Sequence, residues 1–83
     1  MNWEIQLARP VHTRQSGLPE VLRTLGDAVD MIDEQLPEGL RRRPVWQQVK
    51  DKLVTAAEMR TAQDVEAATA LLESALESQG SLG

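Results

Sequence analysis

The sequence predicts an α+β domain, an N-terminal β-hairpin followed by three α-helices packed on one face of it. Three observations carry this. Apolar and polar residues alternate with period two over the first part of the chain. From Thr24 onward apolar residues recur at helical spacing instead. Between the two regimes lies 24–37, a segment with a start signal at one end and a stop signal at the other.

Trp3, Ile5 and Leu7 alternate with Glu4 and Gln6, and Val11 and Thr13 keep the same parity beyond Pro10. Proline lacks a ladder donor, so Pro10 suits an edge position or a strand start. Ser16-Gly17 is a turn signal, and 19–23 reads as a short return strand. The expected hairpin spans about 10–23, with arms near 10–15 and 19–23. Residues 3–7 either prolong the first arm or form an ordered lead-in. A two-stranded hairpin needs a covered apolar face, so helices must lie on it.

The first helix is expected over 25–36. Thr24 and Asp27 form a capping box, each answering an orphan N–H of the first turn. Leu25, Ala28/Val29, Ile32 and Leu36 make its apolar stripe, and Pro37 ends it. Residues 36–44 form the longest irregular stretch. Pro44 opens a second helix over about 44–58, with Trp46, Val49, Leu53 and Ala56/Ala57 on one face and Lys50, Asp51 and Lys52 mainly on the other. A second capping box, Thr61 with Asp64, opens a third helix over about 62–79, whose stripe is Val65, Ala68/Thr69, Leu72 and Ala75/Leu76. Gly80 is its stop, and 81–83 should fray as a tail on a single domain of 1–80.

Composition narrows the function classes. An 83-residue chain supports one domain of modest stability. With no cysteine there is no disulfide, thiol nucleophile or thiolate metal site, so helix packing or oligomerisation must supply any extra stability. The formal net charge of −4 argues against general polyanion binding. The N-terminal residues carry an early acid and no continuous apolar run, unlike a signal peptide. No stretch nears the roughly 20 apolar residues of a membrane span. A cytoplasmic protein is therefore expected.

The order of landmarks resembles a known family. Pro10-Val11 is followed by a hairpin, a Thr-capped helix with Ala28 in its first turn, and a helix end at Leu36-Pro37. A Gly/Pro loop, a helix with Trp46 near its start and an Ala-rich last helix complete the series. Over about Leu7 to Gln79 this is similar to domain of unknown function 982, a set of short standalone bacterial proteins. The chain departs from that family at Leu36, where the family tends to have Trp, and at Ala67-Ala68 and Leu71, where it tends to have Ala-Arg followed by Phe. The resemblance implies a small α+β fold, no established biochemical role and no catalytic residue.

Arg41, Arg42, Arg43 and Trp46 are the candidate anion or partner surface. Three guanidinium groups before a helix start face the positive end of its dipole, so a negative group should compensate them, either an internal acid (Glu38, Glu34) or a bound anion. Trp46 is either a stacking face for a ligand or a core residue. Three arginines without a wider basic surface give little phosphate affinity, and an acidic protein is as apt an anion as RNA. Asp27, Asp30 and Glu34 share one helical face, which a solvated acidic surface explains without Mg²⁺ or Ca²⁺. His12, the only histidine, should point away from the apolar face of Val11 and Thr13, with no triad partner at a telling spacing.

The expected function is a non-enzymatic protein–protein interaction or adaptor module, working through the sheet edge or the Arg41–Trp46 surface. No cofactor and no metal are expected, and the expected partner is another protein. A homodimer would bury the face of Trp3, Ile5, Leu7 and Val11 if the helices leave it uncovered. The alternative is a nucleic-acid or phosphorylated-ligand binder through Arg41, Arg42, Arg43 and Trp46.

Overall fold

The computed structural model describes residues 3–13 and 20–78. The expected Ser16-Gly17 turn, Pro19, and the helix stop and tail from Gln79 onward lie outside the described residues. The order is β1 (Gln6–His12), β2 (Val21–Thr24), α1 (Leu25–Asp30) running into a π-helical turn (Met31–Gln35), α2 (Glu38–Arg41), α3 (Pro44–Met59) and α4 (Ala62–Ser78). β1 and β2 form a two-stranded antiparallel sheet. α1 packs on β2, α4 packs on β1, and α3 lies against both α1 and α4. This is the α+β class expected from the pattern.

The first arm begins earlier than the proposed residue 10. Gln6 already pairs with Thr24, so 6–7 prolong the strand. Residues 3–5 are a lead-in with a definite task. Ile5 O accepts the Leu25 N–H at 2.9 Å and Trp3 O accepts the Gly26 N–H at 3.0 Å. These are orphan donors of the first turn of α1. The Asp27 N–H goes to Thr24 Oγ1 at 3.1 Å, while Asp27 Oδ2 accepts the Thr24 and Arg23 N–H groups. The capping box therefore forms as expected and also takes a backbone donor of β2. Gly26 suits this close approach, because a Cβ would stand 3.0 Å from Trp3 O and the lead-in would have to shift to admit it.

Between the Gln6–Thr24 and Val11–Leu22 pairs the register slips, and Leu7 to Pro10 stand opposite Arg23 alone. Pro10 thus sits where no ladder donor is needed. The bulge bows toward α4, where the Ala8 N–H donates to Thr69 Oγ1 at 3.0 Å. Thr69 is fully buried and its hydroxyl donates onward to Val65 O at 2.8 Å. Arg9 reaches α4 as well, pairing with Glu66 and Glu73. Those contacts, with Glu73 the stronger, hold its guanidinium still more firmly protonated than usual.

The single helix expected over 25–36 is instead α1 plus the π turn, closed by Leu36 N–H to Met31 O at 2.9 Å. The wider turn lets Met31, Ile32 and Leu36 all enter the core, where regular α spacing admits Ile32 and Leu36 but turns Met31 aside. The stretch 36–44, expected to be irregular, contains α2, whose Leu40 and Arg41 N–H groups donate to Pro37 O. α3 and α4 bury the stripes expected of them, Trp46, Val49, Leu53, Ala56 and Ala57 against Val65, Ala68, Thr69, Leu72, Ala75 and Leu76. The alanines let the two helices approach closely. α3 ends at Arg60 in the left-handed region (φ 59°), with its N–H on Ala56 O. At the head of α4 only half the second capping box forms. The Asp64 N–H donates to Thr61 Oγ1, but the Asp64 carboxylate accepts the Thr61 hydroxyl at 2.6 Å rather than a backbone N–H.

Candidate partner surface

The three arginines occupy three different structural positions. Arg41 ends α2 and sends Nη1 to the Asp33 carbonyl at 2.7 Å. Asp33 belongs to the last turn before Leu36-Pro37, where carbonyls lack a partner within the helix, so Arg41 caps the C-terminus of the α1 segment. Arg42 pairs with Glu38 at 2.6 Å across one turn. Glu38 is thus the internal acid foreseen as compensation, and Glu34 is not. Arg43 holds the N-cap position of α3, where its side chain is exposed and makes no ion pair or hydrogen bond among the described residues. The expectation that all three face the positive end of a helix dipole holds for Arg43 alone, because α2 places Arg41 and Arg42 at a C-terminal end.

Trp46 is 1% exposed and belongs to the core. It is not a stacking platform for a base. Its position still matters, because with Ile32 it underlies an open cleft of about 490 Å³. The walls are Asp33, Glu38, Arg41 and Arg42 on one side and Gln47, Lys50 and Asp51 of α3 on the other. Lys50 Nζ meets Asp33 Oδ1 at 2.8 Å, so Asp33 holds Arg41 through its carbonyl and Lys50 through its carboxylate. Each contact is exposed and contributes at most about 1 kcal/mol. Together they fix the relative positions of the π turn, α2 and α3. Gln47, Lys50, Asp51 and Asp33 were not among the candidate residues. The spacing of Arg43, Gln47, Lys50 and Asp51 along one helix face was a usable signal for the first three.

The other sequence candidates lie elsewhere. Asp27, Asp30 and Glu34 line a shallow depression of about 300 Å³ with Val21, Met31 and Gln35. Among the described residues no group of three or more His, Asp or Glu is arranged to hold a metal ion. His12 is exposed on β1 while Val11 and Thr13 are buried, the alternation the sequence implied. The face offered for self-association is largely covered: Leu7 and Val11 are buried, and Trp3 and Ile5 are half-buried against the core. The sheet edges are blunted too, β1 by its bulge, Pro10 and α4, and β2 by Asp27 on the Arg23 N–H. Among the described residues no helix is long and apolar enough to cross a membrane.

No protein-family model matches the chain, and no curated protein or solved structure matches it either.

Proposed function

We propose that this chain is a non-enzymatic protein–protein interaction or adaptor module that receives its partner at the cleft between the π turn, α2 and α3. The observation that carries the reading is the charge pattern of the cleft. Arg41, Arg42 and Lys50 are interleaved with Asp33, Glu38 and Asp51, and each cation already faces an acceptor of the cleft. A surface of alternating sign selects a partner surface of complementary sign pattern. It offers a polyanion no net positive field, since phosphate affinity follows the number of cations free to neutralise it. His12 lines neither the cleft nor the acidic depression.

A second reading, a nucleic-acid or phosphorylated-ligand binder, is favoured by Arg43 alone, an unengaged cation at the N-terminus of a 16-residue helix.

Affinity capture from the native cell separates the readings, using wild type, the Arg41→Ala/Arg42→Ala/Arg43→Ala triple variant and Asp51→Lys. The expected result is a protein partner retained by wild type and lost from Asp51→Lys, whose exposed side chain has no internal partner among the described residues. Equal retention by all three proteins overturns the cleft as the binding surface. Titration of wild type and Arg43→Ala with RNA or a nucleotide at low salt, followed by the amide NMR spectrum at the start of α3, tests the second reading. An unchanged spectrum removes it.

A further inference from the structure

At the other end of α3 a second concave surface has a different character. The turn between α3 and α4 faces the first half of β1 across an open groove of about 560 Å³. Its apolar lining comes from Ile5, Ala8, Ala62 and Val65, and its charged groups are Arg60 and Glu66. Ala8 and Ala62 are exposed and Ile5 is half-buried, so the groove presents apolar surface to solvent. Met59, which directly precedes Arg60, is 60% exposed and is the only exposed large hydrophobic residue among the described ones. An exposed apolar side chain therefore stands one residue along the chain from the lining of an apolar groove.

We propose that this face is the interface of a two-fold symmetric homodimer, in which Met59 of each copy seats in the groove of the other. A two-fold contact requires one patch that complements itself, and Met59 with the groove supplies both halves. An unbranched thioether side chain suits a groove of irregular shape. The charges fit the same symmetry. Arg60 has no ion pair or hydrogen bond from its side chain among the described residues, and Glu66, bound to Arg9, keeps its side chain 53% exposed. Arg60 and Glu66 line the same groove, so a two-fold axis that sets each Arg60 against the partner's Glu66 makes the pattern of sign self-complementary.

This interface shares Ile5 with the face of Trp3, Ile5, Leu7 and Val11 but is centred on the α3–α4 turn, and it is independent of the cleft reading. Gln47 and Arg60 are thirteen residues apart along α3, about 20 Å at 1.5 Å per residue, so the dimer leaves both clefts open. An adaptor built this way is bivalent.

The test is sedimentation velocity of the full chain from about 10 µM to about 1 mM, the range that resolves a weak dimer. The expected result is a mass rising from that of one chain, 9.2 kDa, toward twice that value. Met59→Lys and Ala62→Glu should each remain monomeric at the highest concentration. Both side chains are exposed, and a cation late in α3 or an acid early in α4 suits the helix dipole, so the circular dichroism and melting temperature should stay at wild-type values. Arg60→Glu should weaken association at least several-fold. A wild-type chain that stays monomeric throughout overturns the proposal. So does a dimer that survives both Met59→Lys and Ala62→Glu, or a mass that grows past two chains.

Discussion

Replacing Thr69 by Val tests how the hairpin is attached to the helices. Valine keeps the shape of the side chain and removes only the hydroxyl, which accepts the Ala8 N–H and donates to Val65 O at a fully buried position. Val65 O is a helix carbonyl with its own place in the ladder, so its loss is minor. The Ala8 N–H lies in a bulge with no strand opposite it, and valine leaves it unpaired. An unpaired buried donor costs about 1–3 kcal/mol, and this one is part-buried, which places it toward the lower end. The extra methyl carbon returns part of that, so a net loss of about 1–2 kcal/mol is expected, a fall of about 5–15 °C in melting temperature for a domain this small. Thr69→Ser is the control. It keeps the hydroxyl and loses one methyl group, about 0.8 kcal/mol. Urea denaturation gives the free energies, and amide hydrogen exchange locates them: Ala8 should exchange faster in Thr69→Val and at the wild-type rate, corrected for global stability, in Thr69→Ser. If Ala8 keeps its protection in Thr69→Val, the hydroxyl does not hold the bulge and the reasoning fails.

Three further outcomes follow from the same geometry. Ile32→Asp places a carboxylate at a site 3% exposed in the π turn, within the core cluster, and should leave no cooperative melting transition in circular dichroism. Arg41→Ala removes the cap on Asp33 O and should cost about 0.5–1 kcal/mol in denaturant titration, whereas Arg43→Ala should fall within about 0.5 kcal/mol of wild type. Equal losses for the two would contradict their different positions. Arg60→Gly relieves a left-handed backbone at φ 59° and should stabilise by about 1 kcal/mol, read as a higher urea midpoint at unchanged slope.

What could be read in the sequence was what local chemistry decides. Pro44 at a helix start, the Thr24–Asp27 box and the period of α3 and α4 are short-range signals, and each appears where expected. The π turn was not legible, because nothing in Met31-Ile32-Asp33-Glu34-Gln35 demands it. It arises because Met31, Ile32 and Leu36 all gain by entering a core supplied by α3 and α4. The bulge was half legible. Pro10 announced an interrupted ladder, but the acceptor that makes the interruption tolerable is Thr69, 61 residues away from Ala8. Arg9 shows the same division. Its parity puts it on the side of Leu7 and Val11, where a charge looks misplaced until Glu66 and Glu73 are brought beside it by α4. For the cleft, the arginine run was visible and its meaning was not, since Asp33 and Lys50 meet only after the chain has turned twice.

The charged residues divide into those the fold already uses and those it does not, and the division bears on how binding should be probed. Asp27 terminates β2 and starts α1, Arg41 closes the α1 segment, and Arg9 fastens β1 to α4. Altering any of them perturbs the scaffold, so a lost interaction would be ambiguous. Arg43, Asp51 and Arg60 are exposed, and their side chains make no ion pair among the described residues. Among the described residues no side-chain ion pair or hydrogen bond engages them, so a partner that supplies a counter-charge gains the interaction without first breaking one of these. Asp51 lines the cleft, Arg60 lines the groove, and Arg43 stands at the start of α3. The conspicuous arginine run is thus a poor guide to function as a block. Its last member and the unengaged residues of α3 are where recognition should be sought.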